Sequence, residues 1–260
     1  MQLVLYYFII IILGMALGSF MNSWVWRTRE NLDIGRSRSI CPNCRVGIIW
    51  YDNIPVLSYF ILWGKCRKCD AAISRQYPAV ELLVGFVFFL IAFLHNAGQA
   101  YPTISIELAR DLIIVVLLAF VFLYDLNYRE ILNSTTLLPG VILFPLSLFF
   151  GWNSWESMLL GIAFGAGFFI LLYIISKGAW IGGGDIRLGF FMGVILGWPY
   201  ILIAFFAAYM SGAIISVLLI ALKKKTFKSE TAFGTYLVFG AFVAMFWGSQ
   251  ILDWYLGLII

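Results

Sequence analysis

WIGGGDIRLG, Trp180 to Gly189, sets three consecutive glycines, an aspartate and an arginine between two long apolar runs. Glycine weakens a helix interior. A charged side chain at the centre of a membrane helix costs about 2.5–3.5 kcal/mol on insertion scales. A chain that places both together breaks a membrane helix for a reason, and the surrounding sequence supplies it.

The 260 residues are 63% hydrophobic, 18% aromatic and 12% charged. Soluble domains carry about 25% charged residues, so composition alone indicates an integral membrane protein. No period-two alternation is visible, which leaves helices as the spanning element. Apolar runs at 3–26, 79–95, 110–128, 135–150, 156–176, 186–198, 200–222 and 234–259 predict an all-α polytopic fold with about eight transmembrane helices. The run 186–198 is too short to cross alone unless the glycine–aspartate stretch or a thinned bilayer completes it. The expected division is a first transmembrane helix over 1–26, a polar insert over 27–78 and a transmembrane core over 79–260.

A net charge of +4 could indicate nucleic acid, but the positions of the charges exclude that reading and favour membrane lipid. Arg27, Arg29, Arg36, Arg38, Arg45, Lys65, Arg67, Lys68 and Arg75 lie between the first two runs. Arg129, Lys177, Arg187, Lys223, Lys224, Lys225 and Lys228 lie in later loops that eight spans put on the same side. Of 17 basic residues only Arg110 falls opposite. The positive-inside rule makes the basic side cytosolic and puts both termini outside. The first apolar run exceeds 20 residues and has no basic segment before it, so it is expected to be an uncleaved anchor.

All four cysteines sit in the insert, as CPNC (Cys41, Cys44) and CRKC (Cys66, Cys69). Two C-x-x-C pairs in a short reducing-side segment point to a closed, structural four-cysteine zinc site. About 50 residues bury little core, and metal binding then supplies folding free energy. The competing reading is two redox pairs or inert cysteines.

Most acidic residues fall in loops or at helix ends; Glu81, Asp125 and Asp185 do not. Asp125 lies 14 residues inward from Asp111 at an outer boundary, about 21 Å along a helix. Asp185 lies 13 residues inward from Trp198 at another, about 20 Å. Two carboxylates on different helices therefore reach one depth. Such a pair shares a proton, one acting as base on a water and the other as acid on a carbonyl. Gly182, Gly183 and Gly184 let a peptide backbone approach. The structural alternatives are an N-cap for Asp185, an i,i+4 pair with Arg129 for Asp125, and a pairing of Glu81 with Arg75 or another basic loop residue.

The chain resembles the prepilin peptidases, or type IV leader peptidases, a family of GxGD membrane aspartyl proteases. The resemblance rests on GMALGSFMNSWVWR (14–27), CPNC, DNIPVLSYFILWGKCRKC (52–69), ISRQYPAVE (73–81), YDLNYREILN (124–133), GGGDIRL (182–188) and AFGTYL (232–237), in matching order and spacing. It implies cleavage of the basic leader of prepilins or pseudopilins on the cytosolic side of the bacterial inner membrane. It also implies N-methylation of the new terminal residue with S-adenosylmethionine. The family's catalytic aspartates carry over to Asp125 and Asp185, and its zinc ligands to Cys41, Cys44, Cys66 and Cys69. Leu132, Ala232, Thr235 and Arg187 depart from the family's usual residues. No Rossmann glycine fingerprint marks a methyl-donor site. The rival readings are a GxGD protease without methylation and a transporter with a broken helix, which leaves the cysteine insert without a purpose.

Overall fold

The computed structural model describes residues 2–35, 38–97, 102–224, 226 and 231–258. Arg36, Lys225 and Lys228, which enter the orientation argument, and Glu230 lie outside them. The helices are α1 (Gln2–Arg29), α2 (Leu57–Ile61), α3 (Gln76–His95), α4 (Ile106–Tyr128), α5 (Leu137–Phe150), α6 (Trp155–Ser176), α7 (Gly183–Leu196), α8 (Tyr200–Ala221) and α9 (Phe233–Gly257). Each of the eight apolar runs forms one helix, and the short α2 belongs to the insert. Among the described residues the only β pairing is two isolated bridges, Ile40 with Gly47 and Lys65 with Ala72.

Six helical stretches are long and apolar enough to cross a membrane: Gln2–Arg29, Gln76–His95, Asn133–Phe150, Trp155–Ser176, Tyr200–Ala221 and Phe233–Gly257. The chain is thus a multi-pass membrane protein. Its large outward side chains fit lipid: Val4 is 73% exposed, Phe149 82% and Phe206 70%. In water such surface would be an interaction patch. Helix α7 has 14 residues, about 21 Å at 1.5 Å per residue, shorter than a hydrocarbon core of about 30 Å.

The chain divides into two compact units, Met1–Val116 and Leu117–Ile260. In the first, α1 lies along α3. A Cβ added to Gly14 would stand 2.8 Å from the Gly85 Cα, and one on Gly18 would stand 2.9 Å from the Glu81 Cα. The glycines therefore let the two backbones meet, as small residues do at membrane helix contacts. Met21, Phe88 and Ala92 fill the contact.

In the second unit α7 is the central element, packed on α5, α6, α8 and α9. Gly161 and Gly165 of α6 face Gly193 and Gly189 of α7, a small-xxx-small ridge on each helix. Any Cβ at Gly165 or Gly189 would overlap the opposite backbone. Leu188, Phe191, Met192 and Val194 of α7 are fully buried. The short helix is thereby fixed by its neighbours rather than by length, and so is the residue at its start.

Candidate active site

Asp125 lies on the last turn of α4 and is 4% exposed. Its Oδ2 accepts the backbone N–H of Thr235 at 3.0 Å. The Gly234 N–H acts on the same carboxylate. Gly234 and Thr235 are the second and third residues of α9, after the N-cap Ala232. The first amides of a helix have no intrahelical partner, and the positive end of the helix favours an anion. The AFGTYL motif is therefore the cradle of Asp125. A Cβ on Gly234 would come within 2.8 Å of the carboxylate oxygen and 2.9 Å of Ile131 Cδ1, so only glycine allows this approach.

Asp185 stands in the first turn of α7, whose N-cap is Gly182. It is not the N-cap, and the helix begins at Gly183, three residues before the apolar run expected at 186. The Asp185 N–H donates to the Gly182 carbonyl at 3.2 Å. Its carboxylate feels the charge of Asp125, so both aspartates belong to one electrostatic site within one unit. Tyr209 of α8 is near enough to feel the Asp185 charge. Gly184 packs against Ile131, with its added Cβ 3.0 Å from Ile131 Cβ. Gly182 and Gly183 leave open space around them, the nearest side-chain atom to an added Cβ being Arg187 Nη2 at 3.6 Å from Gly183.

Arg187 Nη1 donates to the Ile131 carbonyl at 3.3 Å, which ties α7 to the loop after Asp125. Asp125 at the end of α4 is buried under α9, and the Arg129 charge acts on it. Glu81 also differs from the sequence reading. Its Oε2 accepts the Val56 N–H at 2.7 Å, and no basic side chain among the described residues pairs with it.

Cys41, Cys44, Cys66 and Cys69 come together, each Sγ within 4.8 Å of the others. Cys41 and Cys69 Sγ are 3.9 Å apart. Four thiolates about 2.3 Å from one tetrahedral ion stand about 3.8 Å from each other, so the donor set fits a metal. Each pair sits on the same local fold, offset by 25 residues. Cys41 N–H donates to Val46, Arg45 N–H to Cys41, and Ile48 N–H to Ser39; Cys66 N–H donates to Ala71, Asp70 N–H to Cys66, and Ile73 N–H to Gly64. Arg45 and Asp70 take matching positive φ values of 59° and 54°. The insert is a duplicated knuckle, legible in SICPNCRVGI against GKCRKCDAAI once the spacing is compared. The side chain of Asn43 adds a bond to Cys69 Sγ at 3.5 Å.

Sequence reasoning missed three functional contributions: the Thr235 and Gly234 amides on Asp125, the Ile131 hinge that meets both Gly184 and Gly234, and the paired glycine ridges that hold α7. The ridges had a signal, GIAFG at 161–165 and GFFMG at 189–193. The amide contacts bring together residues 110 positions apart and leave no local pattern.

A helical membrane protein with two charge-coupled aspartates, one on the last turn of α4 and one on the first turn of α7, and a four-cysteine cluster is of the intramembrane aspartyl protease class. Residues 12–95 match the model of the bacterial peptidase A24 N-terminal domain, and residues 112–217 that of the type IV leader peptidase family. A prepilin leader peptidase/N-methyltransferase of Bacillus subtilis is 31% identical over 248 residues, covering 95% of this chain and 97% of that protein. One from Myxococcus xanthus is 34% identical over 220 residues, 80% of this chain and 62% of its own length. One from Pseudomonas aeruginosa is 29% identical over 278 residues, 95% of this chain and 92% of that protein. No solved structure matches. The chain belongs to the type IV leader peptidase family.

Proposed function

We propose that this protein cleaves the basic leader of type IV prepilins or pseudopilins at the cytosolic edge of the bacterial inner membrane and then N-methylates the new terminal residue. The observation that supports the protease reading is the electrostatic coupling of buried Asp125, at the end of α4 and under the first amides of α9, to Asp185 in the first turn of α7. Its relatives' names carry both activities. Residues 27–78 are the cytosolic zinc-binding insert, residues 79–260 carry the protease core, and both termini face outside.

The two carboxylates share one proton and hold one water between them. The ionised member takes a proton from the water as its oxygen bonds to the scissile carbonyl carbon. The protonated member gives its proton to the carbonyl oxygen. As the tetrahedral intermediate collapses, one of its hydroxyls returns a proton to the second carboxylate, the C–N bond breaks, and the leaving nitrogen takes the proton the first carboxylate gained. Gly182 and Gly183, with open space beside them, admit the substrate backbone. The Thr235 amide fixes Asp125 so that little motion is needed during reaction.

Cys41, Cys44, Cys66 and Cys69 would hold one zinc ion, structural because the four thiolates leave no coordination position for water. S-adenosylmethionine, when bound, supplies an electrophilic methyl group to the new amine. The test is purified enzyme with a prepilin and S-adenosylmethionine, read by mass spectrometry. A cleaved, methylated product is the expected result. An uncleaved prepilin in the presence of folded enzyme contradicts the reading.

A further inference from the structure

A cavity lies in the first unit, where α1 ends, α3 begins and the insert closes over both. It holds about 400 Å³, within the range of small-molecule sites, roughly 300–1,000 Å³. Trp26, Tyr59 and Tyr77 give it aromatic walls, and Ile48 and Ile73 apolar ones. Five charged side chains line it: Arg27, Asp52, Arg67, Lys68 and Glu81. Arg27 is spent on the backbone carbonyls of Asp33 and Arg38, at 2.9 Å and 2.6 Å. Asp52 is spent on Arg67 through two bonds of 2.7 Å and 2.8 Å.

Glu81 is different. It is 6% exposed and has no cationic partner among the described residues. Its charge meets only the Val56 N–H and the Ser19 hydroxyl. A buried anion without a cation is costly. The Val56 bond is also unusual. Val56 has φ 63° and ψ −51°, and the Leu57 N–H donates to the Pro55 carbonyl at 2.6 Å across it. This is a γ-turn with positive φ, strained for any side chain and more so for a β-branched one. Strain of this kind collects at ligand clamps. Here it aims an amide at Glu81 and holds the carboxylate on the cavity wall.

We propose that this cavity binds S-adenosylmethionine and that Glu81 is the buried anion that recognises the donor's positive charge. The cavity volume, its aromatic walls and its one uncommitted carboxylate suit a purine joined to a cationic sulfonium group. The proposal rests on the methyltransferase reading above.

Two measurements on the purified, zinc-loaded full chain test it. First, methyl-tritiated S-adenosylmethionine is crosslinked by ultraviolet light, and the labelled peptides are mapped. Label within residues 19–81 is expected. Label outside them, with methylation of the cleaved product intact, overturns the siting and leaves the methyltransferase reading standing. Failure of the wild-type protein both to bind the donor and to methylate the product sinks that reading itself. Second, calorimetry without prepilin compares wild type with Glu81→Gln, whose amide oxygen still accepts from Val56. The affinity is expected to fall at least about tenfold, with zinc content and melting midpoint retained. Unchanged affinity removes Glu81 from the site. Should that variant unfold, Ile48→Trp fills the cavity without touching charge, and unchanged binding there contradicts the proposal equally.

Discussion

The Thr235 backbone N–H donates to Asp125 Oδ2 at 3.0 Å, joining residues 110 positions apart. One side chain is thereby set by the start of a helix that the local sequence around Asp125 does not mention. The contact depends on residue 234 having no side chain, because a Cβ there would lie 2.8 Å from the same oxygen.

Gly234→Ala is therefore expected to displace the Asp125 carboxylate and lower the cleavage rate by about 10²-fold, the effect of a misplacement near 1 Å. Fold stability should change little. The readouts are initial cleavage rate and melting midpoint in the same micelles. A variant that cleaves at the wild-type rate removes the α9 amides from the account.

Gly165→Leu acts on the second aspartate through packing. Any side chain at 165 meets the Gly189 backbone, and overpacking of this kind costs about 1–3 kcal/mol, occasionally more. The melting midpoint should fall and cleavage should fall with it. A variant as stable and active as the parent contradicts the glycine-ridge contact.

Metal removal separates the cysteine cluster from the dyad. Elemental analysis of purified protein is expected to give about one zinc per chain. Cys44→Ser and Cys69→Ser should each lower it, and chelation should open residues 30–75 to proteolysis. Protection that survives complete metal loss overturns the structural role.

The pair Asp52–Arg67 predicts a pH response of the insert. Arg67, hydrogen-bonded to Asp52, holds its carboxyl below the usual carboxylate range. A depressed pKa stabilises the fold above the unfolded value, about 3.9, and the contribution is lost as pH falls through the folded value. Asp52→Asn should therefore lower protection of the insert near neutral pH and have a smaller effect at a pH below the depressed folded value. Equal loss at both pH values contradicts a charge-based contribution.

Much of this was open to a reader of the sequence. The apolar runs marked all eight long helices because lipid imposes one requirement on every spanning segment. The cysteine spacing brought out the four-thiolate cluster, and the depth argument singled out Asp125 and Asp185, whose charges act on each other. What stayed hidden depends on contacts between distant segments. The Arg187 bond to the Ile131 carbonyl joins residues 56 positions apart and leaves no local pattern. Glu81 reads as the partner of a basic residue until it proves to hold a strained Val56 instead. The Asp185 reading as a cap erred because Gly182, with φ −79° and ψ 155°, takes that position.

The most direct test of the central claim is cleavage of a prepilin in micelles by Asp125→Asn and Asp185→Asn proteins, each with zinc content and melting midpoint equal to wild type. Asn keeps the shape and removes the carboxylate that must take or give a proton. The two-aspartate account predicts that each single variant loses cleavage, by about 10⁴-fold or more, and that the double variant is no worse, since the residues act as one unit. Cleavage at a normal rate by either single variant contradicts it.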